Sequence, residues 1–275
     1  MSEVIGCWVD GESGSTLPAD DRGLQYGDGL FETILVRNKR ARFLELHLAR
    51  LAAGCERLGI GFDSMDTLRA EIARAVAQAP SLAILKIIVT RGSARRRGYA
   101  APGAHAPRRI VSLFTTPTAQ AARTGAELRV AALHLAAQPA LAGIKHLNRL
   151  ENVLAANEPG HAQCFDSLLL DEDGQVVGGT MTNVFAVRET QLLTPAVDRC
   201  GVAGVLRAVV LREAAALGLT VTQGRVPLAE LLSADEAFIT NARIGVVPVS
   251  RVGEHVFRMN GVAQRLAAHI EALDA

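Results

Sequence analysis

The sequence predicts a protein of two domains, each of which mixes α-helices with β-strands. Its 275 residues are 49% hydrophobic, which is enough to fill two modest cores. Apolar runs typical of strands alternate along the chain with apolar stripes at helical spacing, and one small polar stretch interrupts them. We therefore expect a first domain over residues 1–116, a linker over 117–126 and a larger second domain over 127–275.

The first domain is expected to contain four strands. They cover residues 4–9, 30–36, 82–90 and 109–115. The dipeptide Asp10-Gly11 ends the first strand as a tight turn, and residues 38–40 form a second turn.

Two helices are expected after the second strand. Apolar residues recur there at steps of three and four, at Leu44, Leu48, Leu51, Cys55 and Leu58. The polar residues off this stripe are His47, Arg50 and Arg57. Gly59 ends the first helix, and the second runs from the N-cap Ser64 to about Gln78, before Pro80.

The second domain alternates strands with helices. The expected strands cover 128–133, 167–170, 183–188, 220–226 and 237–240. The expected helices cover 146–157, 205–217 and 261–272.

The composition argues against several classes of partner. With 29 basic and 28 acidic residues, the net charge of +1 gives no reason to expect nucleic acid or an anionic membrane. The chain begins without a secretory signal, and no apolar run approaches the roughly 18 residues of a spanning helix. The cysteines are far apart and lack zinc-ligand spacing: Cys7, Cys55, Cys164 and Cys200. We therefore expect a soluble, cytoplasmic protein without a metal site.

Lys145 is the first candidate for chemistry. It follows a short apolar stretch and stands at the start of the expected helix over 146–157. A partly desolvated lysine amine can lose its proton and attack a carbonyl, and the aldehyde of pyridoxal phosphate (PLP) is the obvious carbonyl. A lysine at a helix start is ordinarily a surface charge, so this position alone does not decide. His146 could shuttle a proton or make a structural hydrogen bond.

Three features could bind a phosphate. Residues 201–207 form a glycine-bearing loop that opens a helix, where free N–H groups and the helix dipole attract anions. Residues 240–242 follow an apolar strand and could supply donors or simply make a turn. Arg50 lies on the polar edge of its helix, where a solvated arginine is the default.

A basic loop at 91–99 offers a second kind of anion contact. The arginine run within it is short, a single aromatic residue accompanies it, and the chain is neutral overall, which argues against nucleic acid. Arginine binds carboxylates bidentately, so we expect a flexible loop that closes over a carboxylate.

These residues occur in an order typical of one enzyme group. The chain resembles the fold-type IV PLP enzymes, which include D-amino-acid and branched-chain aminotransferases and 4-amino-4-deoxychorismate lyase. The resemblance runs from residues 21–33, which contain Asp-Arg-Gly and Gly-Asp-Gly, through 47–51, to Asn241. Within the group, residues 142–151 around the lysine look most like the lyase.

The resemblance implies a small N-terminal α/β domain, a larger C-terminal domain with a barrel-like sheet, PLP in the cleft between them, and a homodimer. Lys145 matches the lysine that forms a Schiff base with PLP, and Arg50 matches the arginine that holds its phosphate. The other implied cofactor contacts are Gly204, Val205, Leu206 and Asn241 at the phosphate and Met181, Thr182 and Asn183 along the pyridine ring. Arg97 and Tyr99 match a loop that grips the substrate carboxylate in related aminotransferases.

Two departures from the family pattern bear on the reaction. Phe31 stands where a tyrosine of D-amino-acid aminotransferases helps to hold the substrate carboxylate. Gly178 replaces the glutamate that normally pairs with the pyridine nitrogen and keeps it protonated; Glu172 or Asp173 could take that place. Loss of the glutamate should harm a transaminase more than a lyase, because aromatisation of the product drives the lyase reaction.

The resulting hypothesis is a PLP-dependent lyase that converts 4-amino-4-deoxychorismate to 4-aminobenzoate, a folate precursor, and pyruvate. Lys145 would act as the general base, with Arg97, Tyr99, Phe31 and Thr33 near the substrate. Thr33 could relay a proton or be an ordinary strand threonine. The alternatives are a D-amino-acid or branched-chain aminotransferase, and a PLP-binding protein with little catalysis because of the missing glutamate.

Overall fold

The computed structural model describes residues 3–14, 16–93, 98–101, 106–116, 125–258 and 261–273. They form two compact units. The first comprises Met1–Thr118 and Ile144–Asn148, and the second comprises Ala119–Gly143 and Arg149–Ala275. Residues 117–124, most of the predicted linker, lie outside the described part of the chain. The chain returns to the first unit for one short segment, which no sequence pattern indicated.

The first unit is built on a six-stranded sheet. Its strands are β1 (Val4–Val9), β2 (Glu12–Ser13), β3 (Gly29–Arg37), β4 (Arg40–Ala41), β5 (Leu82–Thr90) and β6 (Arg108–Thr115). They lie in the order β2-β1-β6-β5-β3-β4, and every neighbouring pair is antiparallel. The four predicted strands are confirmed. No pattern predicted β2 and β4, because two residues cannot show alternation.

Three helices accompany this sheet: α1 (Arg22–Tyr26), α2 (Leu44–Leu58) and α3 (Met65–Ala77). The two predicted helices, α2 and α3, are confirmed. Gly59 ends α2 in the left-handed region at φ 62°, which glycine adopts without strain. The short helix α1 was not predicted; Asp21 caps it by accepting the N–H groups of Gly23 and Leu24.

One face of the first sheet is covered by helices. Side chains alternate along a strand, so Glu32 of β3 and Ile87 of β5 point to the same face, where they lie across from each other and are at most 1% exposed. His47 of α2 contacts Glu32, and Glu71 of α3 binds Arg109 of β6. These contacts seat α2 and α3 on this face.

The opposite face of the same sheet is only half-buried. Phe31 and Thr33 of β3 point to it, as do Lys86 and Ile88 of β5. Phe31 lies across from Ile88, and Thr33 lies across from Lys86. We call this surface, defined by these four residues, the half-buried face.

The segment Ile144–Asn148 lies along the free edge of β3. Phe31 N donates to Lys145 O at 3.0 Å, and Leu147 N donates to Gly29 O at 3.0 Å. Strand β4 pairs only with the far end of β3, so this near end would otherwise leave its backbone groups unpaired.

This pairing corrects the helix predicted over 146–157. The observed helix, α4, covers only Leu150–Ala156. His146 forms a bridge with Leu30 of β3 instead of starting a helix. Sheet hydrogen bonds hold these residues extended, so Lys145 stands on a strand-like segment and not at a helix start.

The second unit contains a nine-stranded mixed sheet. Its strands are β7 (Ala126–Leu135), β8 (Asp166–Asp171), β9 (Val176–Gly179), β10 (Asn183–Arg188), β11 (Gln191–Pro195), β12 (Thr220–Gly224), β13 (Glu236–Asn241), β14 (Gly245–Val252) and β15 (His255–Val256). The order is β12-β11-β10-β13-β14-β7-β8-β9, with β15 paired to β14. Strand β7 is parallel to β8 and β14, and β11 is parallel to β12. The remaining helices are α5 (Val205–Glu213), α6 (Leu228–Leu232) and α7 (Val262–Ala272), and short 3-10 turns cover His161–Gln163 and Ala214–Leu217.

The core of the second unit is aliphatic around one aromatic pair. Phe185 of β10 and Phe238 of β13 lie across from each other, are 0% exposed, and stack with centroids 4.7 Å apart. The five predicted strands are confirmed as β7, β8, β10, β12 and β13. Prolines obscured two of the others, because Pro195 ends β11 and Pro248 lies inside β14.

Two sheets with helices packed on them confirm the predicted α/β fold class, and the second sheet curls into a half-barrel. Among the residues described, no helix has both the length and the apolar character needed to cross a membrane.

Candidate active site

The amine of Lys145 lies against the ring of Phe31, a residue of the half-buried face. Its Nζ is 4.1 Å from the centroid of the Phe31 ring, whose electron-rich face attracts a cation. The backbones of the two residues are joined by the Phe31 N–Lys145 O hydrogen bond. The lysine side chain therefore extends from a backbone that is fixed to the sheet, which restricts where its amine can react.

The Phe31 ring also contacts a second cation. Lys86 Nζ lies 5.6 Å from the same ring centroid. Phe31 and Thr33, both predicted to be near the substrate, lie on this face with it. Lys86 was not predicted, although a charge inside the apolar run of β5 was a visible signal.

Arg50 is held by a buried carboxylate. Its Nε donates to Glu32 Oε1 at 2.8 Å, and its Nη2 donates to Glu32 Oε2. His47 Nδ1 lies 2.6 Å from the same Oε2. The side chains of Glu32 and His47 are each 1% exposed, and that of Arg50 is 16% exposed. Arg50 is therefore not a solvated surface arginine.

The burial of His47 was not predicted. It lies off the apolar stripe of α2, yet it is buried, with Nδ1 hydrogen-bonded to Glu32 and with Nε2 lacking a hydrogen-bond partner among the described residues. A local sequence pattern could not predict this burial, because Glu32 belongs to β3 and its two partners, His47 and Arg50, belong to α2.

The charges of this cluster are fixed by their surroundings. Burial lowers the pKa of His47, so the imidazole is neutral near pH 7. Burial alone would raise the pKa of Glu32, but the hydrogen bond from His47 and the charge of Arg50 outweigh it and hold that pKa below its usual value. An ionised carboxylate only accepts hydrogen bonds, so the His47 proton lies on Nδ1. Arg50 thus faces a permanent negative charge.

In the second unit a single buried carboxylate organises residues 180–182. Asp166 Oδ1 accepts from Thr180 N at 3.0 Å and from Thr180 Oγ1 at 2.6 Å, and its Oδ2 accepts from Thr182 Oγ1 at 2.8 Å. Asp166 is 0% exposed, whereas Met181, between the two threonines, is 46% exposed. Met181 and Thr182 were predicted to line the cofactor ring; Asp166 was not singled out, although it fixes both.

Asn183 braces the loop that precedes α5. Its Nδ2 donates to Val202 O at 2.8 Å. A Cβ atom added to Gly204 would lie 2.1 Å from Asn183 Oδ1, so only glycine fits there while the asparagine keeps its place. The predicted contact of Asn183 with the cofactor ring stays a prediction, while its contact with this loop is observed.

The N-terminus of α5 supplies donors that suit an anion. Gly204 is the N-cap and has no side chain to accept the N–H groups of the first turn, to which Val205 and Leu206 belong. That turn contains no acidic residue to offset the positive end of the helix dipole. Such donors match a phosphate.

The end of β13 carries two polar side chains. Thr240 lies across from Asn183, is 0% exposed, and its Oγ1 has no hydrogen-bond partner among the described residues. Asn241 Oδ1 accepts the N–H groups of Arg243 and Ile244, each at 2.9 Å. The side chain of Asn241 therefore makes a turn, and its predicted phosphate contact stays a prediction.

Gly98 and Tyr99, at the end of the basic loop, are held through their backbone carbonyls. Arg22 Nη1 donates to Gly98 O at 3.0 Å, and Nη2 donates to Tyr99 O at 2.8 Å. The Tyr99 side chain is 86% exposed, and its ring meets that of Tyr26 edge-on. Arg97 lies outside the described residues, so its contact with a substrate carboxylate stays a prediction.

Comparison with known proteins decides the family. Residues 29–252 match the family described as amino-transferase class IV. The chain belongs to this family. The predicted membership is confirmed, and with it the predicted cofactor, PLP. The residues of each unit suit that cofactor. The first unit offers a lysine amine for an aldehyde and an arginine for a phosphate, and in the second unit the uncapped start of α5 offers N–H groups for a phosphate.

Individual members of the class IV family differ in activity. The chain is 35% identical to the aminodeoxychorismate lyase of Vibrio harveyi over 247 residues, which cover 89% of this chain and 90% of that protein. It is 31% identical to the D-alanine aminotransferase of Bacillus licheniformis over 236 residues, 85% of this chain and 82% of that one. The crystal structure of 4-amino-4-deoxychorismate lyase from Pseudomonas aeruginosa matches with a TM-score of 0.92 at 42% identity, and the match covers 98% of this chain and 100% of that one.

At Gly178, where the chain departs from the class IV pattern, the backbone leaves no room for a side chain. A Cβ atom added there would lie 2.7 Å from the carbonyl oxygen of Thr182, which is closer than carbon–oxygen contacts allow. A backbone carbonyl cannot move aside as a flexible side chain can. The close approach of β9 to residues 180–182 therefore requires glycine at this position.

Glu172 and Asp173 are the two acids predicted as possible replacements for the missing glutamate. Glu172 is exposed, and the Asp173 carboxylate is engaged by Arg199 at 2.6 Å and by Arg225 at 2.9 Å. The two arginines lower the pKa of Asp173, so it remains an ionised surface group. Neither acid has a contact that directs it toward a pyridine nitrogen.

Gly178→Ala is expected to lower the free energy of unfolding by about 1–3 kcal/mol, because the added methyl group must displace the Thr182 carbonyl. Urea denaturation of the apoprotein would measure this. Gly224→Ala is the matched control, since a Cβ at that strand end meets no atom within 4 Å. Wild-type stability in Gly178→Ala would refute the steric account. The larger Gly178→Glu change, predicted to raise transamination more than lyase turnover, is informative only in protein that stays folded.

Proposed function

We propose that this protein is a PLP-dependent lyase that converts 4-amino-4-deoxychorismate to 4-aminobenzoate and pyruvate. The observation that carries the proposal is the Lys145 amine seated over the ring of Phe31. It places a reactive amine beside a residue that lacks the hydroxyl expected of D-amino-acid aminotransferases. Similarity to the Vibrio and Pseudomonas lyases over nearly the whole chain supports the same conclusion.

Lys145 and Arg50 of the first unit are proposed as cofactor contacts. Lys145 would bind its aldehyde carbon, and Arg50 would bind its phosphate through a guanidinium already oriented by Glu32. The further contacts proposed are Gly204, Val205, Leu206 and Asn241 at the phosphate and Met181, Thr182 and Asn183 along the ring. When bound, PLP withdraws electrons from the substrate carbon that bears the amine.

Lys145 is proposed as the general base. Its neutral amine takes the proton from the ring carbon that bears the amino group. The bond from the neighbouring carbon to the enolpyruvyl oxygen then breaks, and the ring becomes aromatic. Lys145, or a water beside it, returns a proton to the departing pyruvate enol. The fixed backbone and the Phe31 ring keep the amine in place through both transfers.

We propose substrate contacts from two segments of the first unit, namely β3 and the basic loop at 91–99. Phe31 and Thr33 form part of the half-buried face, and the Lys145 amine lies against the Phe31 ring. Arg97 and Tyr99 belong to the basic loop, and Arg22 fixes the carbonyl of Tyr99. We propose that this loop binds the enolpyruvyl carboxylate.

We further propose that the protein is a cytoplasmic homodimer that serves folate precursor synthesis. Leu150, Val153 and Leu154 form one stripe on α4 and are each at least 50% exposed, which favours coverage by a second subunit. The four cysteines are free thiols, as a reducing compartment favours.

An amino-acid aminotransferase is the second candidate. The 31% identity to a D-alanine aminotransferase favours it. Phe31 and Gly178 oppose it, because the first cannot donate a hydrogen bond to a carboxylate and the second leaves the pyridine nitrogen without its usual acid.

The test is to incubate the PLP-loaded protein with 4-amino-4-deoxychorismate in the absence of any amino acceptor. Equal amounts of 4-aminobenzoate and pyruvate are expected. Absence of both products from folded, PLP-loaded protein would refute the lyase. A panel of amino and keto acids assayed beside it would then decide whether the aminotransferase replaces it.

A further inference from the structure

A second cation stands on the half-buried face, at Lys86 in the middle of β5. Its neighbours along that strand are apolar, and the strand is central in its sheet, between β3 and β6. Its Nζ lies 5.6 Å from the centroid of the Phe31 ring, and among the described residues no carboxylate forms an ion pair with it. A half-buried ammonium without a counterion loses hydration and gains little in return.

Lys86 and Lys145 share one ring. Their Nζ atoms lie 5.6 and 4.1 Å from the same Phe31 centroid, so the two nitrogens are less than about 10 Å apart. Lys86, Phe31 and Thr33 belong to one surface, and the Lys145 amine lies against the Phe31 ring. An anionic ligand whose amine is held at Lys145 would therefore place its far end within reach of Lys86.

The proposed substrate has that shape. In 4-amino-4-deoxychorismate the ring carboxylate lies para to the amine, so one six-membered ring separates the two groups. With a hydrogen bond added at the carboxylate, the span from the amine lies within the upper limit on the separation of the two lysine nitrogens. The enolpyruvyl carboxylate lies to the side and is left to the basic loop.

We propose that Lys86 binds the ring carboxylate of the substrate. This assignment rests on the proposed function, which supplies the amine at Lys145. It makes Lys86 a determinant of specificity, because a charge-assisted hydrogen bond favours a substrate with a carboxylate para to its amine over simple amino acids. The product should make the same hydrogen bond to Lys86, since 4-aminobenzoate keeps both the ring carboxylate and the amine.

A structural role is the competing account, in which the lysine stem merely covers Phe31 and Ile88. Lys86→Met separates the two accounts, because methionine keeps an unbranched apolar stem and removes the charge. Lys86→Arg restores a cation. Lys39→Met is the matched control, since Lys39 is an exposed lysine of the β3–β4 turn.

The experiment uses the PLP-loaded wild type and these three variants. Lyase kinetics are measured with 4-amino-4-deoxychorismate, and 4-aminobenzoate binding is measured directly from the visible absorption of the bound cofactor. Lys86→Met is expected to weaken 4-aminobenzoate binding and raise KM roughly 10- to 100-fold, with a smaller change in kcat. PLP affinity is expected to stay within about twofold, and Lys86→Arg to recover part of the loss.

Unchanged 4-aminobenzoate binding in Lys86→Met would overturn the assignment, as would equal losses in Lys39→Met. A wild type that binds 4-aminobenzoate through Lys86 but releases no product would refute the lyase and leave Lys86 as a carboxylate site. A wild type that makes product with no effect of Lys86→Met would refute the assignment alone.

Discussion

Replacing Lys145 with alanine is expected to abolish release of 4-aminobenzoate and pyruvate while the protein remains folded. The variant loses both the amine that binds the cofactor and the proposed general base, so turnover should fall by at least about a thousandfold. The backbone hydrogen bond to Phe31 does not involve the side chain and survives the change. The lost contact with the Phe31 ring accounts for only about 0.5–1 kcal/mol of stability.

Two measurements make this result specific. Urea denaturation of the apoprotein should show a small change for Lys145→Ala, and Lys39→Ala, in the exposed turn, should keep wild-type turnover. The visible absorption of bound PLP should be lost in the first variant and kept in the second. Turnover above a tenth of the wild-type rate in Lys145→Ala would rule out this lysine as the base.

Replacing Glu32 with glutamine is expected to lower the free energy of unfolding by about 3 kcal/mol, because it removes the charge from a buried group that binds a guanidinium and an imidazole. The amide matches the shape of the carboxylate but turns an N–H group toward Arg50 or toward the protonated Nδ1 of His47. One hydrogen bond is therefore replaced by a contact between two donors. Urea denaturation of the apoprotein measures the loss.

The same substitution should weaken phosphate binding in particular. If Glu32 orients Arg50 for the cofactor phosphate, Glu32→Gln lowers affinity for PLP roughly tenfold more than affinity for pyridoxal, which lacks the phosphate. Equal losses for the two compounds would show that the arginine does not act on the phosphate. Glu45→Gln is the control, because Glu45 forms an exposed pair with Arg69, which solvent screens and which contributes little to stability.

The effect of Glu32→Gln should depend on pH in one direction. The pKa of Glu32 is lowered in the folded protein, so its stabilising contribution is present above the usual glutamate value of 4.5 and is lost as pH falls through the lower, folded value. The stability difference between wild type and variant should therefore be largest near neutral pH and shrink as pH falls below 4.5. A difference that grows on acidification would contradict this account.

The sequence predicted most of the fold because local patterns specify it. The apolar spacing from Leu44 to Leu58, followed by Gly59, is a local signal, and α2 begins and ends where it indicates. The helix predicted over 146–157 was wrong at its start because its first residues pair with β3, far away in the sequence. A pattern read over neighbouring residues cannot include Leu30, the β3 residue with which His146 pairs.

The candidate site divides in the same way. Lys145 and Arg50 were found because they stand in family motifs, but the residues that support them come from other elements. Glu32 of β3 accepts a hydrogen bond from Arg50 of α2. Asp166 of β8 accepts one from Thr180, which follows β9. Lys86 is recognised as a candidate site residue only from the structure, in which its amine and that of Lys145 both contact the ring of Phe31.

The return of the chain to β3 has a consequence for biosynthesis. A ribosome releases the six strands of the first unit well before it releases the segment Ile144–Asn148. Until that segment emerges, the edge of β3 at Gly29 and Phe31 exposes unpaired backbone groups, and such edges recruit other strands. The five residues that contain the proposed Schiff-base lysine therefore also close the nascent sheet, which links completion of the first unit to synthesis of the second.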